Sequence, residues 1–223
     1  KMLNNINVKL TNVLFDECIK QGVSKFIYLS TAKVSPYLNV SVDIKDKYNN
    51  LGSADIYTNS KILAENLISE RQKKNNISLI IIRPPLVYGP GVKGNLLNLM
   101  KFIQNRSFLP FNKTYNLRSM ISINNLSYFI KLCIDDKKII NENFSVSDEN
   151  DYSTDDIISI LSLLMNRKLI KFPLPFWVIK FLLKFVKINA INKIFGNFRL
   201  NTDKAKAKLN WIPPKNNDKV FKQ

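Results

Sequence analysis

Tyr57 and Lys61 stand four residues apart in the run Tyr57-Thr58-Asn59-Ser60-Lys61. On a helix, that spacing places both side chains on one face. An ammonium beside a phenol favours the phenolate, so the pair could exchange a proton near neutral pH although a free phenol titrates at about 10. Taken alone, the same pattern also describes an ordinary helical turn in a Lys-rich chain. Other proton carriers are few. The chain contains no His, which excludes imidazole zinc chemistry and every Ser-His or Cys-His arrangement within it. Cys18 and Cys133 are too few and too far apart for a disulfide framework or a C-x-x-C metal site, and no metal is expected. Tyr, Lys, Asp and Glu remain as acid/base candidates.

These residues need a scaffold, and the hydrophobic pattern supplies one. Leu10, Val13, Leu14 and Cys18 share a helical face, with Gly22 where a C-terminal cap belongs. Lys25 to Ser30 reads as a strand, residues 57 to 72 as a helix, and Ile77 to Ile82 as a strand buried on both sides, since it is apolar and β-branched without alternation. Arg83-Pro84-Pro85 ends that strand because consecutive prolines cannot continue a ladder. Helix, strand, helix, strand at this spacing predicts a parallel α/β sheet with crossovers. Beyond Gly94 a second, smaller lobe is expected. Leu96 to Ile103 and Asn125 to Ile134 look helical, Asn143 to Ser147 extended, and Ser153-Thr154-Asp155-Asp156 like a helix start. Phe172 to Val186 reads as an amphipathic helix packed on that lobe with its lysines in water.

The 223 residues carry 34 Lys plus Arg against 17 acidic residues, a formal charge of +17. Only six of the basic residues are Arg, and the lysines are scattered without a dense block. That pattern argues against a specific nucleic-acid partner and stays compatible with anionic small molecules. No stretch of about 18 apolar residues could span a bilayer, and a cytoplasmic location is expected.

The order of motifs adds specificity. A strand ending in Ser30-Thr31 is followed by Tyr57-x-x-x-Lys61 and then by Arg83-Pro84-Pro85-Leu86-Val87-Tyr88-Gly89-Pro90-Gly91. This succession resembles the extended short-chain dehydrogenase/reductase family, also called the NAD-dependent epimerase/dehydratase family. Gly22 to Ser30 resembles its fourth-strand segment, Arg118 to Leu126 its phosphate-binding stretch, and Leu209-Asn210-Trp211-Ile212-Pro213-Pro214 its C-terminal ending. The resemblance implies a Rossmann-like doubly wound parallel sheet with a smaller mixed α/β substrate lobe. Residues 1–93 would form the C-terminal part of the NAD(P)-binding domain. Residues 94–223 would form mainly the substrate lobe, with some segments returning to the sheet. The family's opening strand and glycine-rich turn are not found here, so the N-terminal strands are expected to be absent, and the choice between NAD and NADP is unreadable.

The resemblance also implies roles. Tyr57 would be the acid/base, with Lys61 lowering its pKa and bonding the nicotinamide ribose, and Thr31 sharing the substrate oxygen. Asn7, Leu29, Ser30 and Pro84 would join Tyr57 and Lys61 around the cofactor. Asn95 and Arg118 would hold the diphosphate of a UDP-sugar, Arg being suited to pair with phosphate oxygens. Asn95 could equally cap a helix, and Arg118 could be a surface cation. Details such as Lys33-Val34 and the double proline look most like a UDP-glucose 4-epimerase-like subgroup that includes reductases of UDP-4-keto-6-deoxy-N-acetylhexosamines. Epimerase and reductase share the same half-reaction at sugar carbon 4, and these residues do not separate them. A 4,6-dehydratase fits less well, because Ala32-Lys33 replace the acidic pair that follows the hydroxyl residue in such enzymes. An inactive relative that binds a nucleotide or a protein is the alternative, and a homodimer is a further expectation.

Overall fold

A computed structural model of the protein describes residues 5–37, 55–105, 108–109, 114–171 and 196–214. A π-helical segment, Asn5–Leu10, runs into α1 (Thr11–Lys20), and β1 (Lys25–Leu29) leads to a 3-10 turn, Ala32–Tyr37. Next come α2 (Ile56–Gln72), β2 (Ser78–Arg83), β3 (Leu86–Tyr88), α3 (Asn95–Gln104) and β4 (Phe108–Leu109). The remaining elements are β5 (Arg118–Ser122), α4 (Ile123–Asp135), β6 (Glu142–Ser145), β7 (Asp151–Tyr152), α5 (Thr154–Leu164), β8 (Ile170–Lys171) and α6 (Asp203–Leu209). The chain forms two compact units: residues 1–85, 125–147 and 200–213 make the first, and 86–124, 148–199 and 214–223 the second.

In the first unit β2 lies between β1 and β6, all three parallel, with Ile27 opposite Ile80 and Ile82 opposite Phe144. The central position explains the unbroken apolar run of β2, whose side chains meet cover on both faces. Leu79 and Ile81 pack with Phe15 of α1, Tyr28 of β1, Ala64 and Ile68 of α2 and the preceding Ile77. Alternation sends Ile80 and Ile82 to the other face, shared with Phe144, against which Phe129 of α4 stands edge-on at 5.6 Å. Trp211 meets Phe129 edge-on at 5.0 Å and ties the segment after α6 to the same core. Helices therefore cover both faces of a parallel sheet, the doubly wound arrangement expected from the sequence.

One local reading differs from the pattern. The face of Leu10, Val13 and Leu14 is exposed, and Phe15 is the residue α1 buries, with Cys18 and Ile19 beside it. Gly22 does end that helix, at φ +67°, with the Val23 N–H donating to the Cys18 carbonyl at 2.9 Å. The double proline does end β2, at Arg83, and Leu86–Tyr88 begins a new strand in the second unit.

That second unit centres on β5, parallel to β3 and antiparallel to β7, while β4 and β8 form a separate parallel pair. Tyr88, Leu96, Ile103, Met120, Ile157, Ile158 and Leu161 make its core. Ser153 caps α5 in a reciprocal box with Asp156, as the Ser-Thr-Asp-Asp run predicts. The amphipathic helix expected over 172–186 lies outside the described residues.

Candidate active site

The carboxyl ends of β1 and β2 are stitched together past their last ladder residues. The Ser30 N–H donates to the Ile82 carbonyl and the Ala32 N–H to the Pro84 carbonyl, both at 2.8 Å. Leu29, Ser30, Thr31 and Pro84 thus form one rim. Leu29 is 43% exposed on that rim, whereas Thr31 and Ser30 are buried.

The helix that brings Tyr57 and Lys61 to this rim is aimed by its first turn. Asp55 caps α2, accepting from the Thr58 N–H at 2.7 Å, and its other oxygen lies 3.7 Å from Lys33 Nζ in the 3-10 turn after Thr31. Lys61 Nζ reaches back to donate to the Leu29 carbonyl at 2.9 Å and sits 4.7 Å from the centre of the Tyr28 ring. Asn7 holds the same helix from the other side, its Nδ2 donating to Ser60 Oγ at 2.9 Å while Ser60 Oγ donates to the Tyr57 carbonyl at 2.7 Å. The π-helical winding at Asn5–Leu10 is an uncommon device that often marks functional positions.

Electrostatics at the pair run against the simple expectation. Burial pushes the Tyr57 phenol above its ordinary pKa, and the Asp55 carboxylate adds to the effect. Burial also pushes the Lys61 ammonium down, opposed by the Glu65 carboxylate. Lys61 therefore does not bring Tyr57 to a phenolate by itself, and Tyr57 holds its proton at neutral pH. At 38% exposure its ring is still reachable from solvent.

One buried polar atom has no partner among the described residues at this rim: Ser30 Oγ, on a residue 4% exposed. An unsatisfied hydroxyl at the carboxyl end of a parallel strand, beside a lysine with ammonium hydrogens to spare, fits a polar ligand. Among the described residues, Thr31 Oγ1 accepts a long 3.4 Å contact from the Lys33 N–H. Leu29, Ser30, Thr31, Lys61 and Pro84 accordingly share one rim of the first unit, and Asn7 is tied through Ser60 to the backbone of Tyr57 on the helix that carries Lys61.

Arg118 and Asn95 belong to the second unit. Arg118 opens β5 and its Nη1 donates to the Gly196 carbonyl at 3.0 Å. Asn95 opens α3, whose N-cap is Gly94 at φ +70°; the Asn95 side chain lies outside the described residues. Residues to which the sequence reading gave no part in the site are Asp55, Ser60, Lys33 and the buried pair Glu65–Arg83. The Asp two residues before Tyr57 was a readable cap signal, whereas the others become visible only in three dimensions.

Polar groups gathered at the carboxyl ends of parallel strands, under helices on both faces, define an α/β fold of the dinucleotide-binding type. The profile of the family described as "NAD dependent epimerase/dehydratase family" matches residues 2–142. The chain belongs to this family. It is 34% identical over 225 residues to a Vibrio cholerae protein named UDP-glucose 4-epimerase, covering 100% of this chain and 68% of the relative. It is also 27% identical over 177 residues to an Escherichia coli O157:H7 N-acetyl-alpha-D-glucosaminyl-diphospho-ditrans,octacis-undecaprenol 4-epimerase, covering 77% of this chain and 52% of that protein. The chain thus spans about two-thirds of the first relative and half of the second. Among solved structures, UDP-glucuronic acid 4-epimerase from Bacillus cereus in complex with NAD shares the fold at a TM-score of 0.69 and 19% identity, covering 97% of this chain and 65% of its own. UDP-glucose 4-epimerase from Thermotoga maritima with UDP-glucose does so at 0.67 and 17%, covering 98% and 68%. No helix among the described residues is long and apolar enough to cross a membrane.

Proposed function

We propose that this chain carries the catalytic part of an NAD(P)-dependent enzyme acting at carbon 4 of a UDP-hexose or UDP-N-acetylhexosamine, as a 4-epimerase or a 4-keto-reductase. The observation that carries the reading is the single rim formed by Leu29, Ser30, Thr31 and Pro84, onto which α2 delivers Lys61, with Tyr57 one turn earlier on the same helix. A 34% identical relative named UDP-glucose 4-epimerase supports the choice of sugar chemistry.

A nicotinamide group bound there would supply a reversible acceptor for the hydrogen at sugar carbon 4. Ser30, Lys61, Leu29 and the Pro84 segment would hold it, with Asn7 steadying α2 through Ser60. Tyr57 moves the proton of the carbon-4 oxygen, and Thr31 orients that oxygen by a second hydrogen bond. Because Tyr57 holds its proton at neutral pH, the resting site is set to give a proton to a 4-keto oxygen. Running the other way, it must first lose that proton, and Lys61 is the cation placed to favour the loss. Arg118 and Asn95 take the diphosphate of the substrate. The reading places the protein in the cytoplasm, in keeping with two free cysteines, and as a homodimer, in keeping with the exposed Leu10, Val13 and Leu14.

The deciding experiment follows UDP-glucose, UDP-N-acetylglucosamine and a UDP-4-keto sugar by proton NMR with NAD+, NADH or NADPH present. Interconversion of carbon-4 epimers with a catalytic amount of cofactor identifies an epimerase, and stoichiometric consumption of reduced cofactor on the keto sugar identifies a reductase. Binding of these sugars without either conversion would overturn the catalytic reading.

A further inference from the structure

Glu65 stands on α2 one helical turn beyond Lys61 and two beyond Tyr57. Its carboxylate receives both prongs of the Arg83 fork, Nε to Oε1 at 3.1 Å and Nη2 to Oε2 at 2.5 Å. The two side chains are only 2% and 4% exposed. A buried ion pair is a poor source of net stability, because losing water offsets the attraction, and apolar residues of similar volume often serve as well or better. The pair therefore calls for a reason beyond holding two elements together.

Its position supplies one. Arg83 ends β2 and is followed by Pro84, whose carbonyl receives the Ala32 N–H, so the pair fixes α2 to the strand end that frames the candidate site. It also orders charge along the helix. The groups around Lys61 are the Tyr28 ring and the Leu29 carbonyl from β1, Tyr57 and Glu65 one turn to either side on α2, and Arg83 behind Glu65. Of these, Glu65 is the carboxylate that opposes the effect of burial on the Lys61 ammonium. An apolar clamp would hold the helix but not the charge.

We propose that Glu65, locked in place by Arg83, is a positioning residue that keeps the Lys61 amine a cation at the carboxyl end of β1. The proposal rests on the reading of Lys61 as the cation beside Tyr57, and it adds the residues that maintain its charge. Glu65 and Arg83 touch neither substrate nor cofactor in this account. They act through Lys61.

The test reads Lys61 itself, with no cofactor or sugar. Trace acetylation of the full chain across the neutral to alkaline range, quantified by mass spectrometry on the Lys61 peptide, gives the titration of that amine. Glu65→Gln leaves Arg83 buried without its partner and risks unfolding, so the deciding variant is the exchange Glu65→Arg with Arg83→Glu. It keeps a buried ion pair and reverses the charge beside Lys61. A fall of about one pKa unit, read as roughly tenfold faster labelling of Lys61 at fixed neutral pH, is expected. The apolar pair Glu65→Met with Arg83→Met serves if the exchange does not fold, and a smaller increase in the same direction is expected there. Unchanged Lys61 titration in a folded variant overturns the proposal and reduces the pair to a clamp. A shifted Lys61 titration in a protein that converts no UDP-sugar would instead leave the role of Glu65 standing and count against the functional reading.

Discussion

Asp55 performs two jobs that a pair of substitutions separates. Its carboxylate caps α2 through the Thr58 N–H at 2.7 Å, and its charge adds to burial in raising the pKa of Tyr57. Asp55→Ala removes both, while Asp55→Asn keeps a cap and removes only the charge. Losing an N-cap costs about 1 kcal/mol. The Lys33 contact at 3.7 Å involves side chains 43% and 51% exposed, and screening reduces it to about 0.3 kcal/mol. Asp55→Ala should therefore lower unfolding free energy by about 1.3 kcal/mol in urea titrations and Asp55→Asn by well under half of that. Both should lower the pKa of Tyr57, followed by 13Cζ-tyrosine NMR with Tyr57→Phe for assignment. The sign carries into stability. A phenol whose folded pKa exceeds its unfolded value stabilises fully below the unfolded value, and the contribution is lost as pH rises through the folded one. Removing Asp55 should move that alkaline loss to lower pH. Equal destabilisation by Asn and Ala would refute the capping role, and an unmoved or raised Tyr57 pKa would refute the electrostatic one.

Other consequences are as direct. Phe129→Ala empties a fully buried site between Phe144 and Trp211 and should cost about 3–5 kcal/mol, read as a drop in urea midpoint. The Cys133 thiol, pushed up to about 12 by burial, should resist a thiol reagent in the native protein at neutral pH and react once the protein is unfolded.

What was legible in the sequence follows from physical period and burial. Ile77 to Ile82 reads as a central strand because a strand covered on both faces has no reason to alternate, and it does pair in parallel with Phe26 to Leu29. Tyr57 and Lys61 fall on one helix face because that spacing is intrinsic to a helix. The strand Arg118–Ser122 escaped notice because five mixed polar and apolar residues give little periodicity, and their assignment came from motif resemblance instead. The rim contacts of Ser30 and Ala32 with Ile82 and Pro84 join residues some fifty positions apart, and the Glu65–Arg83 pair joins a helix to a strand end. No local pattern announces such pairs. The direction of the Tyr57 shift was likewise hidden, since it depends on how deeply the ring is buried and on where Lys61 points.

The account stands or falls on Tyr57. In the protein assayed with cofactor and the UDP-sugar it accepts, Tyr57→Phe keeps the ring and removes one hydroxyl. Turnover should fall by about 10²–10⁴-fold, while the cofactor dissociation constant, measured in parallel by fluorescence titration, changes little. Turnover within a few-fold of the unaltered protein would contradict the assignment of Tyr57 as the group that moves the proton.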